Sequence, residues 1–263
     1  MAVTNENIRV RPSELAEKIG PSGVAINKFK YYVTGMQLAE DDEKEYLHEP
    51  IGALPPAVVA LLPELYLALV PYLEHQNGKN GGGEDAILLD FPSERNAVSS
   101  LRYHAKTGPE MLAFAIRDQE MADYHYHFYR SIAEIVLDNL PSDAESSFAN
   151  LLKEEVNSSV HGEVDDKSWH LKQELTRKQK RVRPATKGFV AYARASFVDT
   201  MTLYLHGICC DIDVETGPRQ LPSRYLRKRL QLLQGLFPPP QGYAVFPEDV
   251  RELKDDRPAA QPS

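Results

Sequence analysis

Apolar positions along most of the chain recur at the three- to four-residue spacing of amphipathic helices. The clearest such segment covers residues 109–139, between "TGPE" and "NLPSD". A second predicted helix covers residues 143–181, with a bend at Gly162. Residues 185–212 are apolar on nearly every side, which predicts a central, buried helix. A last helix follows "GPRQLPS" and ends at "FPPPQGY".

The first quarter of the chain also has a pattern that favours helices. Two short helices are predicted over residues 12–20 and 22–38, on either side of "GPSG". Residues 55–76 predict a longer helix, which the prolines in its apolar run interrupt. Since that run also contains Glu64, it predicts a kinked core helix rather than a membrane span.

Strand signals are few in this sequence. "AILLDFP", residues 86–92, is one candidate strand, and "YAVF", residues 243–246, is a second, distant one. The glycine-rich residues 75–85 predict a loop. The predicted fold is therefore all-α: one helical-bundle-like domain of seven or eight helices over residues 1–250, with at most two short strands. The polar, proline-rich residues 251–263 predict a disordered tail.

Composition narrows the functional classes. A chain of 263 residues can bury a large core, and its net charge of −8 argues against general nucleic-acid binding. The two cysteines, Cys209 and Cys210, are adjacent and cannot close an ordinary disulfide loop. The N-terminus lacks the basic and apolar regions of a signal peptide. Together these features predict a cytoplasmic protein without membrane association.

A repeated pattern of acids and histidines is the main candidate for chemistry. The pattern Glu-x-x-Asp-x-x-aromatic-His occurs twice, and Asp199 and His206 lie seven residues apart on the apolar helix. The candidate metal ligands are Glu120, Asp123, His127, Glu163, Asp166, His170, Asp199 and His206. On a helix, the acids and the histidine of each copy fall on one face. Carboxylate and imidazole groups on facing helices can bind two iron or manganese ions.

The alternative interpretation is that these are ordinary polar helix faces. In the first copy, Glu120, Asp123 and His127 point away from the apolar side of their predicted helix, as a solvated stripe would. The second copy lies closer to an apolar face, so it is the better ligand candidate. Buried polar groups such as Asp199 and His206 need a partner of some kind, which an ion, a water molecule or another side chain can provide.

The order of these residues loosely resembles that of the ligands in heme-oxygenase-like di-iron oxidases. Glu120-x6-His127, a mid-chain carboxylate such as Glu163, and a late His206 with Asp211 carry the resemblance. It implies an all-α oxidase of comparable length. The late His-x3-Asp-x2-His of that family is absent, because "HGICCD" offers only His-x4-Asp.

Two functions from different classes follow. The first is a non-heme dimetal oxidoreductase that acts on a small organic substrate. The second is a non-catalytic helical adaptor or binding protein with structural histidines. Its basic runs, residues 176–183 and 224–229, would bind an acidic or phosphate-bearing partner. A structural role also accounts for the first run, because cations at the end of a helix stabilise its terminal carbonyl groups. The oligomeric state is not predicted.

Overall fold

The structure is a computed structural model that describes residues 9–75, 85–89, 96–105, 108–178, 183–210, 219–246 and 248–249. Its internal contacts divide the chain into two compact units, residues 1–49 with 62–131, and residues 50–61 with 132–263. Each unit is described separately. The single domain over residues 1–250 stays a prediction. The predicted tail and nearly all of the predicted glycine-rich loop lie outside the described residues.

The described residues form a mixed α/β fold, so the predicted all-α, helical-bundle fold is wrong. The strands are β1 Arg9–Val10, β2 Val24–Ile26, β3 Phe29–Val33, β4 Leu65–Val70, β5 Tyr72–His75, β6 Asp85–Leu88, β7 Ala97–Val98, β8 Ser100–Tyr103 and β9 Glu110–Ala115. The helices are α1 Pro12–Ser22, α2 Glu40–Glu43, a π-helical turn Lys44–His48, α3 Glu49–Gly52, α4 Pro56–Leu61, α5 Met121–Asp138, α6 Ser142–Asn157, α7 Asp166–Lys178, α8 Lys187–Cys209 and α9 Ser223–Leu236.

The first unit is built on a five-stranded sheet of order β2-β3-β4-β9-β8. Strands β3, β4 and β9 are parallel, and the two edge strands are antiparallel to their neighbours. Strands β4 and β9, "LYLALV" and "EMLAFA", are almost entirely buried. Continuous apolar runs of this kind are typical of central strands that are covered on both faces.

Helices cover both faces of this sheet. The apolar face of α1, which includes Leu15 and Ile19, packs with Ala68 and Ala113 on one side. These small strand residues let the helix approach closely. On the other side, the first half of α5 packs its aromatic rings against the sheet, with the ring of Phe128 6.1 Å from that of Phe114.

A second, antiparallel sheet has the order β1-β6-β5-β7 and also belongs to the first unit. The chain passes from the first sheet into the second directly, because only Pro71 separates β4 from β5. Strand β6 confirms part of the predicted strand at residues 86–92. The other predicted strand, residues 243–246, is irregular.

The second unit is helical, with α8 packed against α6, α7 and α9. Helix α8 confirms the predicted central helix, since most of its residues are buried. The predicted helix over residues 143–181 is instead two helices, α6 and α7. Ser159 and Gly162 between them have φ angles of +56° and +79°. A left-handed backbone ends a right-handed helix, so the segment breaks rather than bends.

The strands of the first unit that were predicted as helix share one cause. Residues 109–139 begin as β9 before α5 starts, residues 55–76 are α4 followed by two strands, and residues 22–38 contain β2 and β3. Each error falls on a short apolar run, whose periodicity does not distinguish a buried strand from a buried helix.

Among the described residues, no helix has both the length and the apolar character needed to cross a membrane.

Candidate functional site

One predicted metal ligand, Glu163, lies in a network of buried charged and polar groups in the helical unit. We call this network the buried ionic cluster. It comprises Glu155 of α6, Glu163 of the α6–α7 connection, Lys172 of α7, Tyr192 and Ser196 of α8, and Arg229 of α9. All of these residues are buried, and the side chain of Arg229 has no exposed surface. The cluster therefore joins α6, α7, α8 and α9 through ion pairs and hydrogen bonds.

Every side-chain oxygen of Glu163 accepts hydrogen bonds from this cluster. Its Oε1 accepts from Lys172 Nζ at 3.0 Å, from Tyr192 Oη at 2.5 Å and from Arg229 Nη2 at 2.9 Å. Its Oε2 accepts from Arg229 Nη1 at 2.7 Å and from Ser196 Oγ at 3.3 Å. The other side of the guanidinium donates to Glu155, with Nη2 2.5 Å from Oε2. These bonds fill the acceptor positions of Glu163, so it acts as an ion-pair partner here.

The electrostatics agree with this role. Burial alone would raise the pKa of Glu163. The positive charge and hydrogen bonds of Arg229, the charge of Lys172 and the hydrogen bond from Tyr192 outweigh burial and lower this pKa from the usual 4.5 to about 2. Burial and the Glu163 charge raise the pKa of the Tyr192 hydroxyl well above its ordinary value. The carboxylate is therefore ionised, and the phenol neutral, throughout the physiological range.

The other residues of the repeated motif are less enclosed. In the first copy, Glu120 and Asp123 are exposed, and His127 is half-buried. Burial lowers the pKa of His127, and this effect outweighs the opposite one of Asp123. The exposure of Glu120 and Asp123 agrees with the solvated stripe considered as the alternative, whereas the half-buried His127 does not.

In the second copy, Asp166 and His170 are exposed, and the imidazole of His170 lies beside the ring of Trp169. Asp199 is buried on α8, and His206 is half-buried near its end. Within either unit, no three of the eight predicted ligands bring described ligand atoms within 4.8 Å of one another. The dimetal site stays a prediction, and Asp211 lies outside the described residues.

The basic runs have mixed surroundings. In α9, Arg224, Arg227 and Lys228 are exposed, whereas Arg229 is the centre of the buried ionic cluster. Arg227 lies over the ring of Phe246 and pairs with Glu248. In the first run, residues 176–178 and 183 are exposed, and residues 179–182 lie outside the described part of the chain. The acidic or phosphate-bearing partner stays a prediction.

A second arrangement, in the α/β unit, was not predicted from the sequence. A cavity of about 480 Å³ lies between α1 and the five-stranded sheet. We call it the tyrosine cavity. It is lined by Ser13, Ala16, Glu17 and Gly20 of α1, by Tyr66 and Tyr103 of the sheet, and by Ala105, Gly108 and Pro109. The α1 residues are spaced three and four positions apart, so they form one stripe of the helix.

The register of the sheet places the two tyrosines on one face. Met111 of β9 pairs with Tyr66 on one side and with Tyr103 on the other. Residues in one such row point to the same side of the sheet. The two tyrosines are therefore two strands apart, or about 10 Å between backbones. Both are half-buried, while Met111 between them is fully buried.

A negative and a positive side chain lie near this cavity, and they differ in their surroundings. Glu17 is exposed and is the charged residue among those that line the cavity. Lys30 belongs to the same row, next to Tyr66, but its ammonium group donates to the carbonyl oxygen of Gly20 at the end of α1. The cavity thus combines two aromatic rings with a carboxylate, a combination suited to a cation.

No protein-family model matches this chain, and neither the curated proteins nor the solved structures that were compared with it gave a match.

Proposed function

We propose that this chain is a non-catalytic binding protein whose α/β unit takes a small organic cation of the quaternary ammonium class in the tyrosine cavity. The observation that carries the proposal is the row of Tyr66, Met111 and Tyr103, because its two tyrosines both line a cavity of about 480 Å³. This proposal belongs to the second functional class considered from the sequence, that of a binding protein.

Cation–π attraction explains why this geometry favours an ammonium group. A cation is attracted to the face of an aromatic ring when it lies within about 6 Å of the ring centre. Tyr66 and Tyr103 both line the cavity and their strand positions are about 10 Å apart, so a cation in the cavity can contact the two rings. Methylated ammonium groups lose little hydration energy on entering such a site, because they donate no hydrogen bonds.

Glu17 adds selectivity for charge. Its carboxylate, on the helical wall, attracts a cation and gives nothing to a neutral molecule of the same shape. Lys30 is the nearest cation in the row, and its bond to Gly20 holds its charge at the end of α1. The cavity thus has the Glu17 carboxylate and two aromatic rings in its lining, and the Lys30 ammonium group is bound to the carbonyl of Gly20 at its border.

A matched pair of ligands tests the proposal. Choline and its neutral isostere 3,3-dimethylbutan-1-ol have the same shape, and we expect choline alone to bind in calorimetric or ligand-detected magnetic resonance titrations. Tyr66→Phe should keep choline affinity, because the ring is retained. Tyr66→Leu should reduce it about fivefold or more.

Tyr32→Leu is the control, since Tyr32 is a half-buried tyrosine that packs against the same core without lining the cavity. It should leave choline binding unchanged. Equal binding of choline and the neutral alcohol, or no binding of choline, would contradict the proposal.

The dimetal oxidoreductase is tested separately by elemental analysis of the purified protein. That function requires about two iron or manganese ions per chain, and His170→Ala should then remove metal while helicity is retained. A protein that holds no metal after growth in iron- and manganese-supplemented medium would rule the enzyme out and leave the binding function unaffected.

A further inference from the structure

The carboxyl ends of the parallel strands in the α/β unit form a second cavity, independent of the tyrosine cavity. It has a volume of about 160 Å³ and lies where β4 and β9 end. We call it the strand-end pocket. Its polar lining consists of Tyr72, Ser99, Arg117, Asp118 and Gln119. Ligands of open sheets with parallel strands commonly bind outside these carboxyl ends.

The backbone fixes these side chains. The amide of Ile116 donates to the carbonyl of Val70 at 3.0 Å, which continues the pairing of β9 with β4 beyond the strands. The chain then turns at Arg117 and Asp118, and Asp118 has a φ angle of +60°. A carboxylate residue tolerates this left-handed conformation better than most, but it is still uncommon. The turn directs three consecutive polar side chains to the lining of the pocket.

One buried acceptor in this pocket lacks a partner. Gln119 donates through Nε2 to Ser99 Oγ at 2.9 Å. Its Oε1 is buried and accepts no hydrogen bond from any residue that the structure describes. Leaving a buried acceptor without a donor costs free energy, so such groups are rare in folded proteins. Because this oxygen is buried, the amide of Gln119 must turn toward the pocket before an N–H group of a ligand can supply the missing donor.

The charged groups beside Gln119 indicate the rest of the ligand. Asp118 accepts a hydrogen bond from Tyr72 Oη at 2.7 Å through Oδ2, which leaves its second oxygen for an ammonium group. The exposed guanidinium of Arg117 suits a carboxylate. A molecule that satisfies all three residues carries an ammonium group and a carboxylate together.

Size and apolar lining complete the description. Leu73, Val98 and Ala115 supply the apolar part of the wall. A cavity near 150 Å³ admits a molecule of about benzene's size. We propose that the strand-end pocket binds a small aliphatic α-amino acid, with its ammonium group at Gln119 Oε1 and Asp118 and its carboxylate at Arg117.

Three probes that share an isobutyl group test this inference. L-Valine carries both charges, isovalerate lacks the ammonium group, and isobutylamine lacks the carboxylate. In titrations followed by calorimetry, we expect valine to bind and each of the other two to bind at least about tenfold more weakly, since each loses a charged hydrogen bond. Equal affinity for all three, or no binding of valine at millimolar concentration, would overturn the inference.

A substitution at Gln119 separates ligand binding from a structural role. Gln119→Leu removes the acceptor without a partner, so valine affinity should fall about tenfold or more while the melting temperature stays unchanged or rises. Gln231→Leu, at an exposed position of α9, is the matched control and should change neither quantity. Unchanged valine affinity in Gln119→Leu would show that the side chain serves the fold alone. Choline binding in the same variant should stay normal, so failure here is distinct from failure of the proposed function.

Discussion

The buried ionic cluster and the tyrosine cavity use polar residues in opposite ways. In the cluster, Arg229, Glu163 and Glu155 satisfy one another, and none of their side chains is more than 2% exposed. In the cavity, Glu17 and the two tyrosines face an open volume of about 480 Å³. A closed set of charges that satisfy one another stabilises a fold, whereas an open set can bind something else. Glu163 of the repeated acid-histidine motif belongs to the closed set.

The low dielectric constant of the protein interior explains why every charged group of the buried ionic cluster needs a partner. A carboxylate or a guanidinium that loses its hydration on burial is tolerated only when a partner replaces the water. Glu163 has five such hydrogen bonds. Glu17 at the surface keeps its hydration, so it is stable without a protein partner and available to a ligand.

The largest expected effect comes from removing the cation of the cluster. Arg229→Met would leave Glu155 and Glu163 buried with Lys172 as the nearest positive charge among the cluster residues. The free energy of unfolding should fall by about 3–5 kcal/mol. Urea denaturation followed by circular dichroism measures this change. The neighbouring and exposed Lys228→Met should cost less than about 0.5 kcal/mol, and equal losses in the two variants would contradict the comparison.

Acid should weaken the cluster selectively. The pKa of Glu163 is about 2 in the folded protein, against 4.5 for a free glutamate, so the unfolded chain binds a proton first as the pH falls. Stability that is fully present above about pH 4.5 is therefore lost between about pH 4.5 and 2, by roughly 3 kcal/mol for this one group.

Glu163→Gln should lower stability at neutral pH and flatten this acid-dependent part of the profile. Asp166→Asn, at an exposed carboxylate three residues away, should leave the profile close to that of the original protein. Denaturation curves at several pH values check both. An unchanged acid profile in Glu163→Gln would show that Glu163 does not carry this dependence.

In the tyrosine cavity, loss of a ring should affect ligand affinity more than stability. Tyr103→Leu removes a half-buried ring at the edge of the sheet, so the free energy of unfolding should fall by only about 1 kcal/mol. Choline affinity should fall about fivefold, as one of two cation–π contacts is lost. A loss of stability as large as that of Arg229→Met would mean that the cavity is a structural core.

The smallest expected effect comes from adding one methyl group at Gly20, which should change stability and choline affinity in opposite directions. Among the residues that the structure describes, a Cβ added at Gly20 would meet Tyr66 Oη alone, at 3.4 Å. Gly20→Ala should therefore stabilise α1 by about 0.5 kcal/mol, through the higher helix propensity of alanine. Because the methyl group enters the tyrosine cavity, choline affinity should fall slightly.

Gly235→Ala is the matched control for this methyl group. It lies on α9, where an added Cβ meets no atom of the described part of the chain within 4 Å. It should give a similar gain in melting temperature with no change in choline affinity. Equal effects of the two substitutions on binding would show that Gly20 does not border the ligand.

The sequence was sufficient to predict the helices with long, regular patterns and insufficient for the sheets. Helices α8 and α9 matched their predicted segments because their patterns extend over several turns. Strands β4 and β9 are six residues each, too short for a periodic signal. Their parallel pairing joins residues 45 positions apart, such as Leu65 and Glu110, and no local pattern carries that information.

The buried ionic cluster and the tyrosine cavity also differ in how far a local sequence pattern predicts them. Arg229 lies three residues after Leu226 and four before Leu233, so its position on the buried face of α9 was visible in the sequence. It was instead counted with its basic neighbours as part of a surface. Tyr66 and Tyr103 could not have been paired in this way, because their common row depends on the register of three strands.

The contacts of Gly162 and Glu163 with residues much later in the sequence affect the order in which the chain can fold during its synthesis. A Cβ at this position would lie 2.1 Å from the carbonyl oxygen of Gln220, and Glu163 bonds to the backbone on either side of that residue. The same glutamate meets Arg229, which is 66 residues further along the chain. While a ribosome still holds α9, α6 and α7 present Glu155 and Glu163 without their guanidinium partner. The buried ionic cluster therefore forms only after α9 has emerged.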